Sequence, residues 1–402
     1  MNFIKKHNIY ESKTPKKLCS WTIYNDIIIL KHQKDILEIQ KGELTQYQKD
    51  NNYNIHLNKV EVNENKYKSK DELITILSKR HKKYKEDSNQ IKHILDISRF
   101  NNINKAIVYF AYKKGLKEYF SQSEPLTEIE SEFIQKASKA GLIQCKTGAY
   151  QNVVNYDINS MYPYIMNIQY FKIPIKQGEL KVFEELPEIV PYGIYRVKIT
   201  RPTKAHKSFF AFKKKINNYY YTSIDIVTAK QQGLNIELIQ DEKPNALIYD
   251  NDSRINAHRL FKKFVDKFYN MKQSEEYKKN KLIKRILNTL WGELCRKDFV
   301  YNDKNNDIYE EGIEDGEKLK VTNTNFTYNF ARMKPFITAY GRQIMHKLLQ
   351  DIPYDKVYRI HTDSILCDDS VKLPISDKIG ALKIEYKSPL VIIHSNTKII
   401  KA

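Results

Sequence analysis

The sequence predicts an α+β protein. Strand-like runs rich in β-branched and aromatic residues fall at 153–157, 193–200 and 356–367. Long helix-like runs fall at 256–294 and 336–349. Two acidic patches, Asp157-Ile158-Asn159-Ser160-Met161-Tyr162-Pro163 and His361-Thr362-Asp363-Ser364, each follow one of the strand-like runs. The 402 residues, 41% of them hydrophobic and 12% aromatic, suffice for two or three domains with sizeable cores.

Each element has a local reason. Trp21–Tyr24 and Asp26–Leu30 cluster β-branched and aromatic residues and read as strands. Residues 41–94 are polar and lysine-rich and read as a solvated helical arm or a mobile stretch. Ile107–Tyr112 and Glu128–Ala137 read as helix. Val153–Asp157 reads as a strand that delivers Asp157 to an edge where the chain turns, because Pro163 follows closely. Gly193–Thr200 alternates as a second sheet strand does, and Tyr219–Ser223 is a short β segment. Residues 256–294 are helical with a break around Met271–Lys279. Residues 301–320, acidic and glycine-bearing, read as a loop or small hairpin. After Pro335, the spacing of Ile337, Tyr340, Ile344 and Leu348 predicts one apolar helix face. Lys356–Ile360 and Ile365–Cys367 flank His361–Ser364 as a β-hairpin with an acidic tip.

The formal charge of +20 attracts polyanions. An AT-rich coding sequence would also enrich Lys and Asn, so charge alone does not establish nucleic-acid binding. Cys19, Cys145, Cys295 and Cys367 are far apart, which argues against a zinc knuckle or a disulfide scaffold and fits a reducing compartment. The N-terminus has no apolar run of signal-peptide length, and no 18-residue apolar stretch follows. The expected location is the cytoplasm, or the compartment of a viral or plasmid replicon, without a membrane partner.

Two carboxylates brought together repel and are costly to bury. A pair of divalent cations removes both problems and clamps the attacking and leaving oxygens of a displacement. Mg²⁺ suits such a site, with two ions expected and Mn²⁺ as a substitute. Asp157 and Asp363 are the expected shared ligands and catalytic residues, with the Ile158 carbonyl as a further ligand. Either aspartate alone would as readily cap a turn. Lys284, Asn288 and Trp291 are spaced i, i+4, i+7 and share one helix face. Lys284 can neutralise triphosphate charge, Asn288 and Trp291 can border a base pair, and Gly292 permits close approach. Lys272, twelve residues before Lys284, falls about 120° away on an ideal helix, so its triphosphate role needs a helix break. Tyr162 beneath an incoming sugar would exclude a 2′-hydroxyl. Tyr340 and Arg342 line a DNA path or pack as ordinary helix residues, and His361 handles protons or only shapes the tip. No Gly-rich GxxxxGK loop is present, so P-loop chemistry has no sequence support.

In this order the motifs resemble those of family B DNA polymerases, especially the protein-primed phage, linear-plasmid and organellar-plasmid group. Asp157–Pro163 resembles motif A, Lys284-xxx-Asn288-xx-Trp291-Gly292 motif B, and His361–Ser364 motif C. Lys272 matches the upstream triphosphate-binding lysine. Phe336–Arg342 resembles the helix before motif C, and Ile379–Glu385 the segment after it. The resemblance implies a right-hand fold with an antiparallel-sheet palm, helical fingers and a reduced or missing thumb. It implies DNA primer-template and dNTP as substrates. Ser160, Tyr340, Arg342, Thr362, Ser364, Lys383 and Lys398 become candidate DNA contacts.

The implied divisions are 1–134, a divergent N-terminal domain unlike a typical exonuclease; 135–194, palm with motif A; and 195–250, room for a terminal-protein-region insertion. Fingers follow at 251–294, room for a second insertion at 295–325, palm with motif C at 326–390, and a vestigial thumb or truncated end at 391–402. Departures are His361 in place of an aspartate, Trp291 in place of a tyrosine, a partial match at 139–144 to a Tyr-x-Gly-Gly segment, and Lys398-Ile-Ile400 where Lys-x-Tyr is expected. The last of these, with little chain left for a thumb, implies weak primer grip, low intrinsic processivity or a processivity partner, and the resemblance to a protein-primed group implies a terminal protein. The competing readings are a primase-like or template-independent nucleotidyltransferase and a catalytically inactive DNA-binding replication protein.

Overall fold

The computed structural model describes residues 9, 11–24, 27–32, 34–40, 43, 50, 53–56, 69–212, 219–297 and 326–401. The expected loop at 301–320, and nearly all of the second insertion, lie outside them. The described chain forms two compact units, one within Met1–Lys117 and Lys267–Glu293, the other within Glu118–Asp266, Leu294–Lys297 and Thr324–Ala402.

The first unit begins with strands β1 (Lys17–Tyr24), β2 (Ile27–His32), β3 (Asp35–Gln40) and β4 (Tyr53–His56). They form a sheet of order β3-β2-β1-β4, in which β4 alone runs parallel to its neighbour. Helix α1 (Lys70–Ile91) starts at Ser69, whose hydroxyl accepts from Glu72 N. Leu73 and Leu77 pack on Ile29, and Tyr84 and Ile91 continue the buried stripe. The lysine-rich stretch is therefore no free arm over 70–91. Apolar residues at helical spacing hold it to the sheet while the lysines keep their heads in water. Helix α2 (Ile103–Ala111) follows an Asn102 cap.

The second unit opens with α3 (Lys117–Gln122) and α4 (Glu128–Ala137), then β5 (Leu142–Cys145), β6 (Gly148–Ile158) and α5 (Met161–Met166). Strands β7 (Lys172–Pro174), β8 (Glu179–Lys181), β9 (Gly193–Thr200) and β10 (Tyr220–Thr222) lead to α6 (Ser223–Gln231), then to β11 (Asn235–Leu238), β12 (Ala246–Ile248) and β13 (Arg254–Asn256). A small sheet of order β10-β9-β12-β8, with β11 also on β9, closes over α6. Its core includes Tyr195, Val197, Tyr221, Ile226 and Ala246. Phe183, Leu186 and Val190, ahead of residue 195, pack against the same core.

Helix α7 (Ala257–Gln273) runs from the second unit into the first, and α8 (Lys281–Leu294) follows after a break at 274–280. Asn280 makes that break: its Oδ1 accepts from Leu282 N at 3.0 Å and its Nδ2 donates to the Asp87 carbonyl at 3.0 Å. Helix α9 (Lys334–Leu349) and strands β14 (Val357–Thr362), β15 (Ser364–Asp368), β16 (Leu382–Ile393) and β17 (Ile399–Lys401) complete the second unit. Its main sheet has the order β17-β16-β6-β15-β14-β5, every pairing antiparallel. β6 is an interior strand, so Asp157 stands near a strand end within the sheet and not at a sheet edge.

The apolar face expected on α9 is displaced. Ile337 is buried, but Tyr340, Ile344 and Leu348 are half-buried, and the buried stripe runs through Thr338, Arg342, Met345 and Leu349. Arg342 turns inward because Asp225 of α6 is there to receive it. A second buried pair braces the same unit: Arg332 grips Glu130 at 2.7 and 2.6 Å, and Tyr249 donates to the same carboxylate at 2.9 Å. With every oxygen and guanidinium arm engaged, such a pair is tolerated without water, and removing one partner costs several kcal/mol.

Candidate active site

The site is assembled from three neighbouring strands. Asp157 of β6 lies opposite Ser364 of β15 on one side and Lys383 of β16 on the other. Cross-strand partners share a face, so these side chains project to the same side. Lys383 Nζ is 3.5 Å from Asp157 Oδ2. Asp363 occupies the turn joining β14 to β15, and its carbonyl accepts from Ile158 N at 2.9 Å. The residue after Asp157 is thus tied to Asp363 by one backbone bond.

The turn itself is strained. Thr362 has φ +59°, and Asp363 N donates to the His361 carbonyl at 2.8 Å, closing a three-residue turn. A β-branched residue at positive φ is costly and persists only where the surroundings enforce it. Gly141, just before β5, is one enforcing neighbour: a Cβ there would lie 2.8 Å from Thr362 Cγ2 and 2.9 Å from its Cα. Gly141 belongs to the partial match at 139–144, and its function was not legible without the packing.

The loop after Asp157 is fastened as firmly. Asn159 N donates to Ala381 O at 2.9 Å, Gly380 N donates to Asn159 O at 2.8 Å, and Asn159 Nδ2 donates to Ser376 O at 3.1 Å. Ser160 then adopts the left-handed conformation and α5 begins. Gly380 has φ +81°, and a Cβ there would collide with the Tyr164 ring. Only glycine satisfies both the dihedral and the space.

Electrostatics mark the pair. Burial first, and then the Asp157 charge, push the Asp363 carboxyl up from 3.8 to about 6, with Glu385 adding to the rise and Lys383 opposing it. Glu385 is another residue to which sequence reasoning gave no role of its own. It sits at the irregularity where β16 pairs with β6 on both sides of it, and Asn155 Nδ2 donates to its Oε2 at 2.7 Å. Bulges re-aim side chains in this way beside active sites.

Tyr162 lies on α5 against α9, where a Cβ on Gly341 would stand 3.5 Å from its ring. Burial pushes its hydroxyl up to about 12, with Arg342 opposing and Asp363 adding to the rise. The ring is therefore neutral and held within the electrostatic reach of Asp363. Ser364 Oγ donates to His361 O at 3.2 Å. Burial and then Arg359 hold the His361 imidazole below its ordinary range, so it is uncharged at neutral pH. Lys398 is exposed between β16 and β17.

Tyr340 and Arg342, expected to line a DNA path or to pack as ordinary helix residues, both make packing contacts. Arg342 is 4% exposed. Its Nε and Nη2 bind Asp225 at 3.0 Å each, and its Nη1 donates to Ala140 O at 2.8 Å. That guanidinium is structural. Tyr340 is half-buried and its ring packs 5.0 Å from that of Phe171.

The first unit holds the second motif. α8 buries Leu282, Ile283, Ile286, Leu287, Leu290 and Leu294. Lys284 and Asn288 are exposed on the opposite face, with Trp291 half-buried beside them. A Cβ on Gly292 would meet nothing within 4 Å, so open space adjoins it. Lys272 lies near the C-terminus of α7 with its Nζ 5.5 Å from the Tyr269 ring. The break at 274–280 separates it from the helix of Lys284, so the 120° offset of an unbroken helix does not apply.

The donor set fits a hard divalent cation. Two adjoining carboxylates, Asp363 resisting ionisation and Asp157 paired with Lys383, supply oxygen ligands. Among the described residues no group of three or more His, Cys, Asp or Glu is arranged around one point. Mg²⁺ needs no such cage, because it is commonly held by one or two carboxylates together with waters and substrate phosphates.

An antiparallel sheet carrying two aspartates at this junction, beside an aromatic on the following helix, places the second unit among polymerase-like palms. The fold aligns with phi29 DNA polymerase in complex with primer-template DNA and incoming nucleotide, with a TM-score of 0.55 and 18% identity over 91% of this chain and 69% of that one. The family model "DNA polymerase type B, organellar and viral" matches residues 9–370, and the chain belongs to that family. It is 31% identical over 198 residues to a DNA polymerase of Kluyveromyces lactis, covering 44% of this chain and 19% of that protein. It is 25% identical over 309 residues to a DNA polymerase of Acidianus bottle-shaped virus, covering 72% and 40%. A DNA polymerase of Bacillus phage Nf is 28% identical over 248 residues, covering 58% and 41%. The chain therefore spans between about a fifth and two fifths of these relatives' lengths. No helix among the described residues is long and apolar enough to cross a membrane.

Proposed function

We propose that this chain is a template-directed DNA polymerase that adds dNTPs to a primer 3′-hydroxyl. The observation that carries the reading is the backbone bond from Ile158, next to Asp157, to Asp363, together with the Asp157 charge acting on Asp363, at one end of the palm sheet. Those two carboxylates and the Ile158 carbonyl would hold Mg²⁺, with Mn²⁺ as a substitute. The ions, when bound, supply Lewis-acid stabilisation of the attacking and leaving oxygens. Lys383 limits the negative charge beside Asp157 when the metal has left. Tyr162, neutral and wedged against α9, forms a rigid plate that favours a deoxyribose by excluding a 2′-hydroxyl. Lys272 and Lys284 bind the triphosphate, while Asn288, Trp291 and Gly292 border the nascent base pair. Ser160, Thr362, Ser364 and Lys398 remain candidate DNA contacts around the strand ends.

Residues 195–250 are the region we assign to a priming protein, on the strength of their position between the first and second motifs. Labelled-primer extension with Mg²⁺ tests the central reading. A templated ladder is expected from the wild type, with Asp157→Asn and Asp363→Asn each slower by roughly 10³-fold or more. Equal synthesis by the variants refutes the metal site. Extension of bare single strands, or of a protein hydroxyl alone, would assign a different acceptor to the same palm.

A further inference from the structure

The first unit carries a cavity that the polymerase reading does not use. It opens where the start of β1, the end of β2 and the C-terminal half of α1 meet, and it measures about 210 Å³. Its wall includes Lys16, Lys17, Lys85 and Lys92, with His32 and His81, against the single carboxylate of Asp96. That carboxylate is already engaged: it accepts from Ser98 N at 3.2 Å, Ser98 Oγ at 2.5 Å and Arg99 Nε at 3.2 Å.

The histidines are not surface decoration. His81 is 4% exposed and His32 5%. Ser20 Oγ, itself fully buried, lies 3.0 Å from His81 Nδ1 and fixes that ring. Burial first, then His32, Lys31 and Lys85, push His81 down to about 4. Burial and then Lys17 push His32 down as well, with Lys85 adding and Asp35 opposing. Four lysines border the hollow, Lys16 donating to Asn101 Oδ1, and an anion placed among ammonium groups relieves their mutual repulsion. A water needs roughly 10–15 Å³ of such space, so the hollow accepts a group of several heavy atoms.

We propose that this cavity binds a phosphate group, supplied by the end of a DNA strand. Lysine ammonium groups are mobile point charges suited to a multiply charged oxyanion, and buried imidazoles add directional donors. A strand held there would be gripped by the N-terminal unit independently of the carboxylate site.

The test uses the full chain without dNTP, so its outcome is separate from that of the polymerase assay. Lys85→Gln/Lys92→Gln removes two exposed cavity lysines, and Lys79→Gln/Lys82→Gln removes the same charge from α1 outside the cavity. Calorimetry with inorganic phosphate should show binding that the cavity variant weakens by roughly tenfold and the control pair leaves in place. Fluorescence anisotropy should show a 5′- or 3′-phosphorylated oligonucleotide binding more tightly than its hydroxyl counterpart, with the difference lost only in the cavity variant. Phosphate binding without any strand-end preference overturns the strand assignment and gives the site to free phosphate or a mononucleotide. No phosphate binding, or equal weakening by both variant pairs, overturns the site. Thermal melting of both variants controls for folding.

Discussion

Asp363 concentrates the chemistry of the palm in one titration. Its folded carboxyl is raised from 3.8 to about 6 by burial and by Asp157. A raised acid keeps its proton in the native state after the unfolded chain has lost it. Stability therefore falls as pH rises from about 4 to about 6, and the deficit persists above that window. A rise of this size corresponds to about 2–3 kcal/mol. Asp363→Asn should recover that amount in chelator at pH 7.5 and little of it at pH 4. Urea unfolding at both values checks this, and an identical wild-type-to-variant difference at the two would contradict it. Mg²⁺ should narrow the gap at pH 7.5, because a bound cation favours the ionised carboxylate. The variant would thus be more stable and less active, which is common where a site stores unfavourable charge.

At the scale of elements, the position of the turn that carries Asp363 depends on what lies behind it. Gly141→Ala places a methyl 2.8 Å from Thr362 Cγ2, and backbone also lies within 3 Å. The turn must shift, at a stability cost of about 1–3 kcal/mol. Displacing a reacting group by about 1 Å can cost roughly 10²-fold in rate. A fall in kcat beyond what the stability loss explains is expected in steady-state primer extension, and unchanged kcat would remove Gly141 from the site's support. Arg342 makes a complementary case. Arg342→Ala leaves Asp225 buried without its partner and should cost about 3–5 kcal/mol in chemical denaturation. Arg342→Met combined with Asp225→Asn should cost less than the single change, because the orphaned charge is gone. Additive losses would show that the pair is not coupled.

The whole molecule carries a formal charge of +20, spread over both halves of the sequence. Binding to a primer-template should release counterions and weaken steeply with salt. If about six phosphates are neutralised, affinity falls by roughly 10³-fold between 50 and 200 mM salt. A titration series in KCl measures the slope directly, and a flat response would remove the electrostatic account of DNA binding. The unit that carries the carboxylates and the unit that carries Lys272 and Lys284 are each internally cored. Each motif therefore sits on an internally packed scaffold.

Much of this protein was readable in the chain. Period-two alternation marked β9, and helical spacing marked α8 and its exposed Lys284–Asn288–Trp291 face, because those signals are local. The acidic tip of the β14–β15 hairpin was equally clear, since a short polar break between two β-branched runs has few other solutions. The sequence also determined which motifs stand in which order, and hence the polymerase resemblance. It did not reveal that Arg342 points inward, that Gly141 props Thr362, that Glu385 sits at a strand irregularity, or that basic residues of β1, β2 and α1 enclose a cavity. Each of those depends on a partner far away in sequence, and only the folded backbone decides which distant side chains share a face, a charge or a void.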